Sequence, residues 1–280
     1  MREIHAVFTF PDWLPLPHKK RKRWAIAQFD DLIRRMIAER RTSSKDHGDL
    51  LSQLLLAVDD EGDGQRMTIQ QARDEAMTLF TAAFHANSMA LTWTWYLLAR
   101  HPEVERRLQE EVDRVLAGRD PAFEDIERLA YTQMVIQESL RLYPPAWALF
   151  CREAVKDVDL GGYRIRRGSW VFLYPYVTHR DPRFFPNPLR FNPDRFAADS
   201  ADPIPKYAYF PFGAGPRACV GNTFAMMEMM LIVAMVVQRF RLCLPVGAAP
   251  KEAEAMLAIR PKGGLQMQLA HRTADQLSTV

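Results

Sequence analysis

Apolar residues recur at helical spacing through the first half of the chain. Between residues 24 and 37 they fall three or four positions apart, with arginines between them, which predicts an amphipathic helix. Asp49 can cap a second helix. Thr68 and Gln71 have the spacing of a capping box, and the helix that they open can continue to about residue 100. Because residues 77–99 are apolar on nearly every side, we expect this long helix to cross the core.

The second half has a different pattern. Residues 131–142 predict a further helix, which a pair of prolines ends. Residues 148–154 and 169–173 resemble strands next to glycine turns. Eight of the 37 residues from 175 to 211 are proline, and this frequency predicts no regular structure there. Such a long irregular segment inside a compact domain is usually functional.

The order of these elements predicts the fold class. Helices come first, a small sheet and a long loop follow, and a methionine-rich helix with a short strand ends the chain. We therefore expect a mainly α protein with a small β part, and not an alternating βαβ fold. The predicted segments are a helical part (1–145), a small sheet (146–174), a long loop with a cysteine loop (175–221), and a helix with terminal strands (222–280).

Composition narrows the class of protein. Of the 280 residues, 48% are hydrophobic and 25% are charged, which is typical of a globular protein and excludes general disorder. The net charge of +3 gives no reason to expect nucleic acid. Three cysteines form no disulfide framework. Because no signal peptide or membrane segment is apparent, we expect a cytoplasmic location. The basic run over residues 19–23 is expected to be the solvated start of a helix.

Residues 212–221 read F-G-A-G-P-R-A-C-V-G and are the most informative segment. Gly213, Gly215 and Ala218 fit the G-x-G-x-x-A fingerprint of dinucleotide-binding folds. That fingerprint requires a buried strand before it and an acidic residue about 20 positions later. Prolines interrupt the preceding residues, and position 238 is a glutamine. The pattern therefore disfavours a dinucleotide site.

Two interpretations of Cys219 stay open at this point. A lone cysteine is commonly a small buried hydrophobe in a structural loop. Alternatively, Cys219 is an axial thiolate ligand, because the start of a helix after a glycine-permitted loop favours an anion and offers N–H donors to sulfur. Arg217 adds positive charge two residues earlier. The missing side chains at Gly213 and Gly215 would let a flat ligand approach the backbone.

The same segment matches, position by position, the F-x-x-G-x-R-x-C-x-G signature of the cytochrome P-450 family. The resemblance implies that Cys219 ligates the iron of haem b (iron protoporphyrin IX). It implies that Phe212 and Gly213 lie beside this thiolate. Arg217 and Arg152 occupy positions where the family places partners of the haem propionates.

A second motif supports the resemblance. Glu138 and Arg141 are similar to the family's E-x-x-R motif, and their spacing places them on one helical face. Residues 191–196 resemble the family's P-E-R-F stretch, so that Arg195 would complete a buried structural Glu-Arg-Arg cluster. The E-x-x-R spacing also occurs twice elsewhere, and we expect these pairs to lie on the surface: Glu103 with Arg106, and Glu111 with Arg114.

The chain departs from the family pattern in the long helix. Residues 82–87 fall on the family's small-Gly-x-acid-Thr-Thr pattern, but the acid is His85 and the oxygen-activating threonine is Ala86. The family uses that acid and alcohol to deliver protons, a role that contributes roughly 10²–10⁴-fold to rate. We expect His85, Asn87 and Ser88 to be the polar groups available for this catalytic role.

The second departure is length. The family's N-terminal portion has no counterpart here, so the resemblance implies a cytochrome P-450 fold lacking that portion. Residues 1–280 would then be the C-terminal, haem-binding portion of a single bacterial-type domain, either a partial chain or a naturally short homologue.

The resemblance implies a haem-thiolate monooxygenase. Such an enzyme would hydroxylate a small apolar substrate with O2. Its electrons would come from a separate partner, a ferredoxin- or flavodoxin-like protein or a reductase, since no flavin or iron–sulfur motif is present. Two alternatives stay open: a non-catalytic haem-binding remnant, and a haem-thiolate enzyme that uses peroxide and needs no redox partner.

Overall fold

A computed structural model describes residues 16–43, 46–57 and 64–272. The sequence also predicts a turn over residues 59–64, of which all but Gly64 lie outside this described part, as do the first ten residues. The described residues form two compact units, and the division falls between Phe84 and His85. None of the described helices has the length and apolar character needed to span a membrane.

Helices dominate the described residues, which confirms the mainly α prediction. They are α1 (Pro17–Ser43), α2 (Leu50–Leu56), α3 (Ile69–Arg100), α4 (Pro102–Leu116), α5 (Ala130–Leu142), α6 (Pro175–Thr178) and α7 (Asn222–Arg239). Short 3-10 turns cover Phe123–Arg128, Pro193–Phe196 and Gly215–Arg217.

Local signals in the sequence start the helices of the first unit. The Asp49 carboxylate accepts the N–H of Ser52 at 2.9 Å and caps α2. Thr68 and Gln71 form the predicted capping box: the Gln71 side chain accepts the Thr68 N–H at 2.8 Å, and the Thr68 hydroxyl accepts the Gln71 N–H at 3.2 Å. The basic run begins α1 and is largely exposed, although Lys19 is buried.

The core of the second unit is helical. Its fully buried side chains come from the C-terminal half of α3, from α4, α5 and α7, and from neighbouring loops. Trp93 of α3 stacks on Tyr143 with ring centroids 3.7 Å apart and donates its indole N–H to the carbonyl of Ile259 at 3.1 Å. These contacts anchor α3 against the segment that follows α5.

The expectation that all of residues 77–99 cross the core is wrong for the first third of that range. Residues 81–84 are exposed, and Phe84 keeps 69% of its surface accessible. Within residues 77–99, side chains become fully buried only from Ala90 onward. An apolar pattern shows that a helix face favours burial, but a neighbouring element must be present to cover it.

Eight short strands form four antiparallel two-stranded sheets. They are β1 (Arg152–Glu153), β2 (Val158–Leu160), β3 (Tyr163–Ile165), β4 (Trp170–Val171), β5 (Phe240–Cys243), β6 (Ala253–Glu254), β7 (Arg260–Pro261) and β8 (Gln268–His271). The sheets pair β1 with β4, β2 with β3, β5 with β8, and β6 with β7.

Two details of the strand prediction need correction. The predicted strands over 148–154 and 169–173 shorten to β1 and β4, with two pairs in register. The hairpin of β2 and β3 was not predicted, although its Gly161-Gly162 turn was. Both glycines have positive φ, as the tight hairpin turn requires. Each strand has only three residues, Val-Asp-Leu and Tyr-Arg-Ile, and so short an alternation is not sufficient to predict a strand.

Candidate active site around Cys219

Glycines shape the loop that carries Cys219. Gly213 and Gly215 have φ of +73° and +69°, in the left-handed region that only glycine enters without strain. A Cβ added at Gly213 would meet its nearest atom at 3.7 Å, and one at Gly215 would meet nothing within 4 Å. Backbone conformation, rather than lack of space within the chain, therefore requires both glycines.

Backbone hydrogen bonds close this loop on itself. The Cys219 N–H donates to the carbonyl of Phe212 at 2.8 Å, and the Ala218 N–H donates to the carbonyl of Gly215 at 3.0 Å. Helix α7 begins at Asn222, three residues after the cysteine. The Cys219 residue is exposed and forms no disulfide. The loop thus presents a free thiol just before a helix N-terminus, in a fixed backbone frame.

The other two cysteines have different surroundings. Cys151 is exposed and immediately precedes β1, whereas Cys243 is half-buried at the end of β5, opposite Gln268. Neither lies in a loop of positive-φ glycines before a helix. Geometry therefore separates Cys219 from both.

Two arginines lie near Cys219 and Cys151 in the sequence and have no acidic partner among the residues that the structure describes. Arg217 is exposed and forms no hydrogen bond or ion pair within the described ranges. Arg152 donates to the carbonyls of Phe150 at 2.9 Å and Cys151 at 3.4 Å, and to no other group in the described part of the chain. Phe212 is half-buried and packs against the core. Both guanidinium groups are therefore available for an anionic ligand.

The structure brings Glu138, Arg141 and Arg195 together. Arg141 makes a bidentate pair with the Glu138 carboxylate, Nε to Oε2 at 2.6 Å and Nη2 to Oε1 at 2.9 Å. Arg195 Nε donates to Oε1 of the same carboxylate at 3.2 Å. The Glu138 and Arg141 side chains are fully buried, and 9% of the Arg195 side chain is exposed. Such bidentate, charge-assisted bonds are strong and directional.

This cluster also fixes the proline-rich segment. Arg141 Nη1 donates to the carbonyls of His179 at 2.6 Å and Pro188 at 2.8 Å. The Asn192 N–H donates to Glu138 at 2.8 Å, and Arg195 donates to the carbonyl of Asn187 at 3.0 Å. The segment has little regular structure of its own, so these side-chain bonds satisfy backbone groups that a helix or sheet would otherwise pair.

One of the expected surface pairs is not on the surface. Glu111 is buried and caps the N-terminus of α5, where it accepts the N–H groups of Tyr131 at 2.7 Å and Thr132 at 2.8 Å. The Thr132 hydroxyl also donates to it at 2.8 Å. Arg106, by contrast, pairs with Glu110 on the exposed face of α4. The prediction for Glu111 was wrong because its partners come from a different helix.

His179 is a buried polar residue in a segment, residues 178–182, that resembles the family's loop lead-in, but the sequence assigned it no role in the site. Its Nε2 accepts the N–H of Phe210 at 2.9 Å, which lies two residues before the cysteine loop. Burial, reinforced by the nearby guanidinium groups of Arg141 and Arg180, lowers the pKa of His179 to about 3. The ring is therefore neutral at physiological pH.

Two of the three residues expected to deliver protons, Asn87 and Ser88, form hydrogen bonds with other groups of the protein. Asn87 donates its side-chain amide to the carboxylate of Glu228 on α7. The Ser88 hydroxyl donates to the carbonyl of His85 at 3.0 Å, within the same helix. Glu228 was not predicted as a site residue. Its position nine residues after Cys219, on the helix that the cysteine loop leads into, is the sequence signal that could have found it.

Comparison with known proteins gives one consistent result. Residues 2–268 match the profile of cytochrome P-450. Cyclooctatin synthase of Streptomyces melanosporofaciens is 45% identical over 230 residues, which are 82% of this chain and 50% of that protein. Pentalenene oxygenase of Streptomyces avermitilis is 34% identical over 94% of this chain and 58% of its own length.

Solved structures agree. The crystal structure of the cytochrome P450DA heme domain has a TM-score of 0.85 and 33% identity, over 92% of this chain and 57% of that one. The fold and the cysteine loop are those of a haem protein. The chain belongs to the cytochrome P-450 family. It spans about half the length of the curated relatives that it matches.

Proposed function

We propose that this chain is the haem-binding part of a haem-thiolate monooxygenase that hydroxylates an apolar small molecule with O2. The observation that carries this proposal is the exposed thiol of Cys219. It lies in a loop fixed by two positive-φ glycines and by the bond from its own N–H to Phe212. A cysteine sulfur held at a fixed position in this way can serve as a ligand of haem iron.

The residues present fit haem b. Cys219 would ligate the iron through its sulfur, and no cluster of three or more His, Cys, Asp or Glu side chains that could hold a different metal ion lies within the described residues. Arg217 and Arg152 have no acidic partners within the described part of the chain, and guanidinium groups match carboxylates well. Haem, when bound through a thiolate, supplies iron to which electron density is pushed so that O–O cleavage is favoured.

The relatives support an apolar substrate. One is named a cyclooctat-9-en-7-ol 5-monooxygenase, which describes oxygenation of an alkene alcohol, and another is named for pentalenene, an alkene. We propose a substrate of similar, largely hydrocarbon character for this chain. Electrons would come from a separate ferredoxin- or flavodoxin-like partner or a reductase.

Proton delivery would depend on groups other than the usual acid and threonine. Position 86 is an alanine, and the hydroxyl of Ser88 is bonded to its own helix. Asn87 instead donates its side-chain amide to the carboxylate of Glu228 and orients that carboxylate. The loss of the threonine hydroxyl favours one second candidate, a haem-thiolate enzyme that uses peroxide. Product formation with reductant plus O2, against product formation with peroxide alone, separates the two.

The carbon monoxide difference spectrum of the reduced, haem-loaded chain tests the main proposal. Cys219→Ser should abolish the thiolate signature. Cys151→Ser is the matched control because Cys151 is also an exposed free thiol, and it should leave the signature unchanged. A thiolate signature that survives in Cys219→Ser would overturn the assignment.

A further inference from the structure

A fully buried histidine lies between the Glu138–Arg141 pair and the cysteine loop. His179 has no accessible surface, and aromatic rings of Phe185, Tyr209 and Phe210 surround it, with centroids 5.2 to 6.2 Å away. Its carbonyl accepts Arg141 Nη1 at 2.6 Å, and its ring Nε2 accepts the Phe210 N–H at 2.9 Å. One residue thus contacts the buried ion pair on one side and the start of the loop on the other.

The ring has an unusual hydrogen-bonding state. Because Nε2 accepts a hydrogen bond, the proton of the neutral ring is on Nδ1. Nδ1 is buried and has no partner in the described part of the chain. A buried donor without a partner is unfavourable and calls for an explanation. An apolar side chain would fill the same space without leaving a buried N–H unpaired. What the histidine adds here is therefore the hydrogen-bond acceptor at Nε2.

Hydrogen bonds continue from this acceptor to the cysteine. The Phe210 carbonyl accepts the N–H of Gly213 at 3.0 Å, and the Phe212 carbonyl accepts the N–H of Cys219 at 2.8 Å. The neighbouring Tyr209 hydroxyl donates to the carbonyl of Gln137 on α5 at 3.0 Å. Residues 209 and 210 are therefore attached to the helical core at two points, and the loop leaves from the second.

We propose that His179 is a positioning residue for the cysteine loop. It acts through the Phe210 N–H, which it holds at the point where the chain turns into residues 212–219. The inference rests on the proposed function, since the positioned sulfur is the proposed iron ligand.

Amide hydrogen exchange and thiol alkylation of the haem-free full chain test this proposal. His179→Leu removes the acceptor, and we expect exchange at Phe210 and Cys219 to become about tenfold faster, as the loss of one hydrogen bond of ordinary strength allows. Alkylation of Cys219 should accelerate, while that of Cys151 stays constant as an internal reference. His179→Gln places an amide oxygen near the Nε2 position and should restore most of the protection.

Thr94→Val is the matched control. Thr94 is buried and its hydroxyl donates to Ser139 at 2.9 Å. Replacing it by valine also removes a buried hydrogen bond, but one that does not involve the cysteine loop. Loop exchange rates in His179→Leu equal to those in Thr94→Val would overturn the proposal. If His179→Leu does not fold, His179→Asn replaces it in the test, because the shorter asparagine amide cannot reach the Phe210 N–H. Amide protection of the loop in His179→Asn equal to that in His179→Gln would refute the positioning role.

Haem loading separates this inference from the proposed function. The carbon monoxide difference spectrum of His179→Leu should lose part of its thiolate signature, and His179→Gln should regain it. If Cys219→Ser keeps a thiolate signature, the proposed function fails, yet the exchange rates still decide whether His179 positions the loop.

Discussion

Two groups of arginines in this molecule have opposite surroundings. Arg141 is fully buried and Arg195 nearly so, and within the described residues the hydrogen bonds of both guanidinium groups go to Glu138 or to backbone carbonyls. Arg217 and Arg152 are exposed and have no acidic partner in the described residues. In the sequence, all four are the same type of side chain, and residue type alone does not separate the two groups.

This difference in surroundings distinguishes arginines that stabilise the fold from arginines that are available to bind a ligand. A buried arginine must be paired, because an uncompensated charge in the interior is strongly unfavourable. An exposed arginine is solvated and stays free to pair with a ligand carboxylate. The first group should therefore control stability with little direct effect on ligand, and the second should control ligand retention with little effect on stability.

The largest expected effect is on the buried group. Glu138→Ala leaves Arg141 and Arg195 without their shared carboxylate, and we expect the free energy of unfolding to fall by about 3–5 kcal/mol. Urea denaturation of the haem-free chain measures it. Glu103→Ala, which removes an exposed carboxylate of α4, should leave the urea midpoint unchanged. Equal shifts in the two variants would show that burial does not distinguish the two E-x-x-R motifs.

A smaller effect follows from the neutral histidine beside Arg141. Its pKa is lowered to about 3 in the folded chain, so on acidification the unfolded chain takes up a proton that the folded chain does not. The stabilisation that the neutral His179 ring gives the folded chain is fully present above the pKa of histidine in the unfolded chain, roughly 6.5. It is lost as the pH falls toward 3.

Between about pH 7.5 and about pH 5, the histidine should reduce the free energy of unfolding by about 2 kcal/mol. Comparing wild type with His179→Gln isolates it, because glutamine does not titrate and the other groups are common to both. Parallel pH profiles for the two proteins would contradict the buried, neutral state of the ring.

The smallest effect on stability is expected for the exposed group. Arg217→Ala should leave the urea midpoint of the haem-free chain unchanged, yet haem should dissociate about tenfold faster, since a charge-assisted bond to a carboxylate is lost. Transfer of haem to an excess of scavenger protein measures the rate. Arg164→Ala is the control, because Arg164 is exposed but paired with Asp157 at 2.8 Å. The same acceleration in both variants would remove Arg217 from the haem site.

The sequence by itself determined the features whose partners are close along the chain. The caps of α2 and α3 join residues three positions apart, and the cysteine loop closes between residues 212 and 219. Positive φ at Gly213 is a property of the backbone of one residue. Local geometry fixes such features, so a pattern of a few residue types was sufficient to predict them.

Only the tertiary structure decided the features whose partners are remote. Glu103 and Glu111 start identical E-x-x-R patterns on α4, yet one is exposed and the other caps α5. The contact from Asn87 to Glu228 joins residues 141 positions apart. The burial and pairing of a side chain depend on which helix packs against its face. The residues next to it in the sequence do not specify that helix, so these contacts could not be predicted from the local pattern.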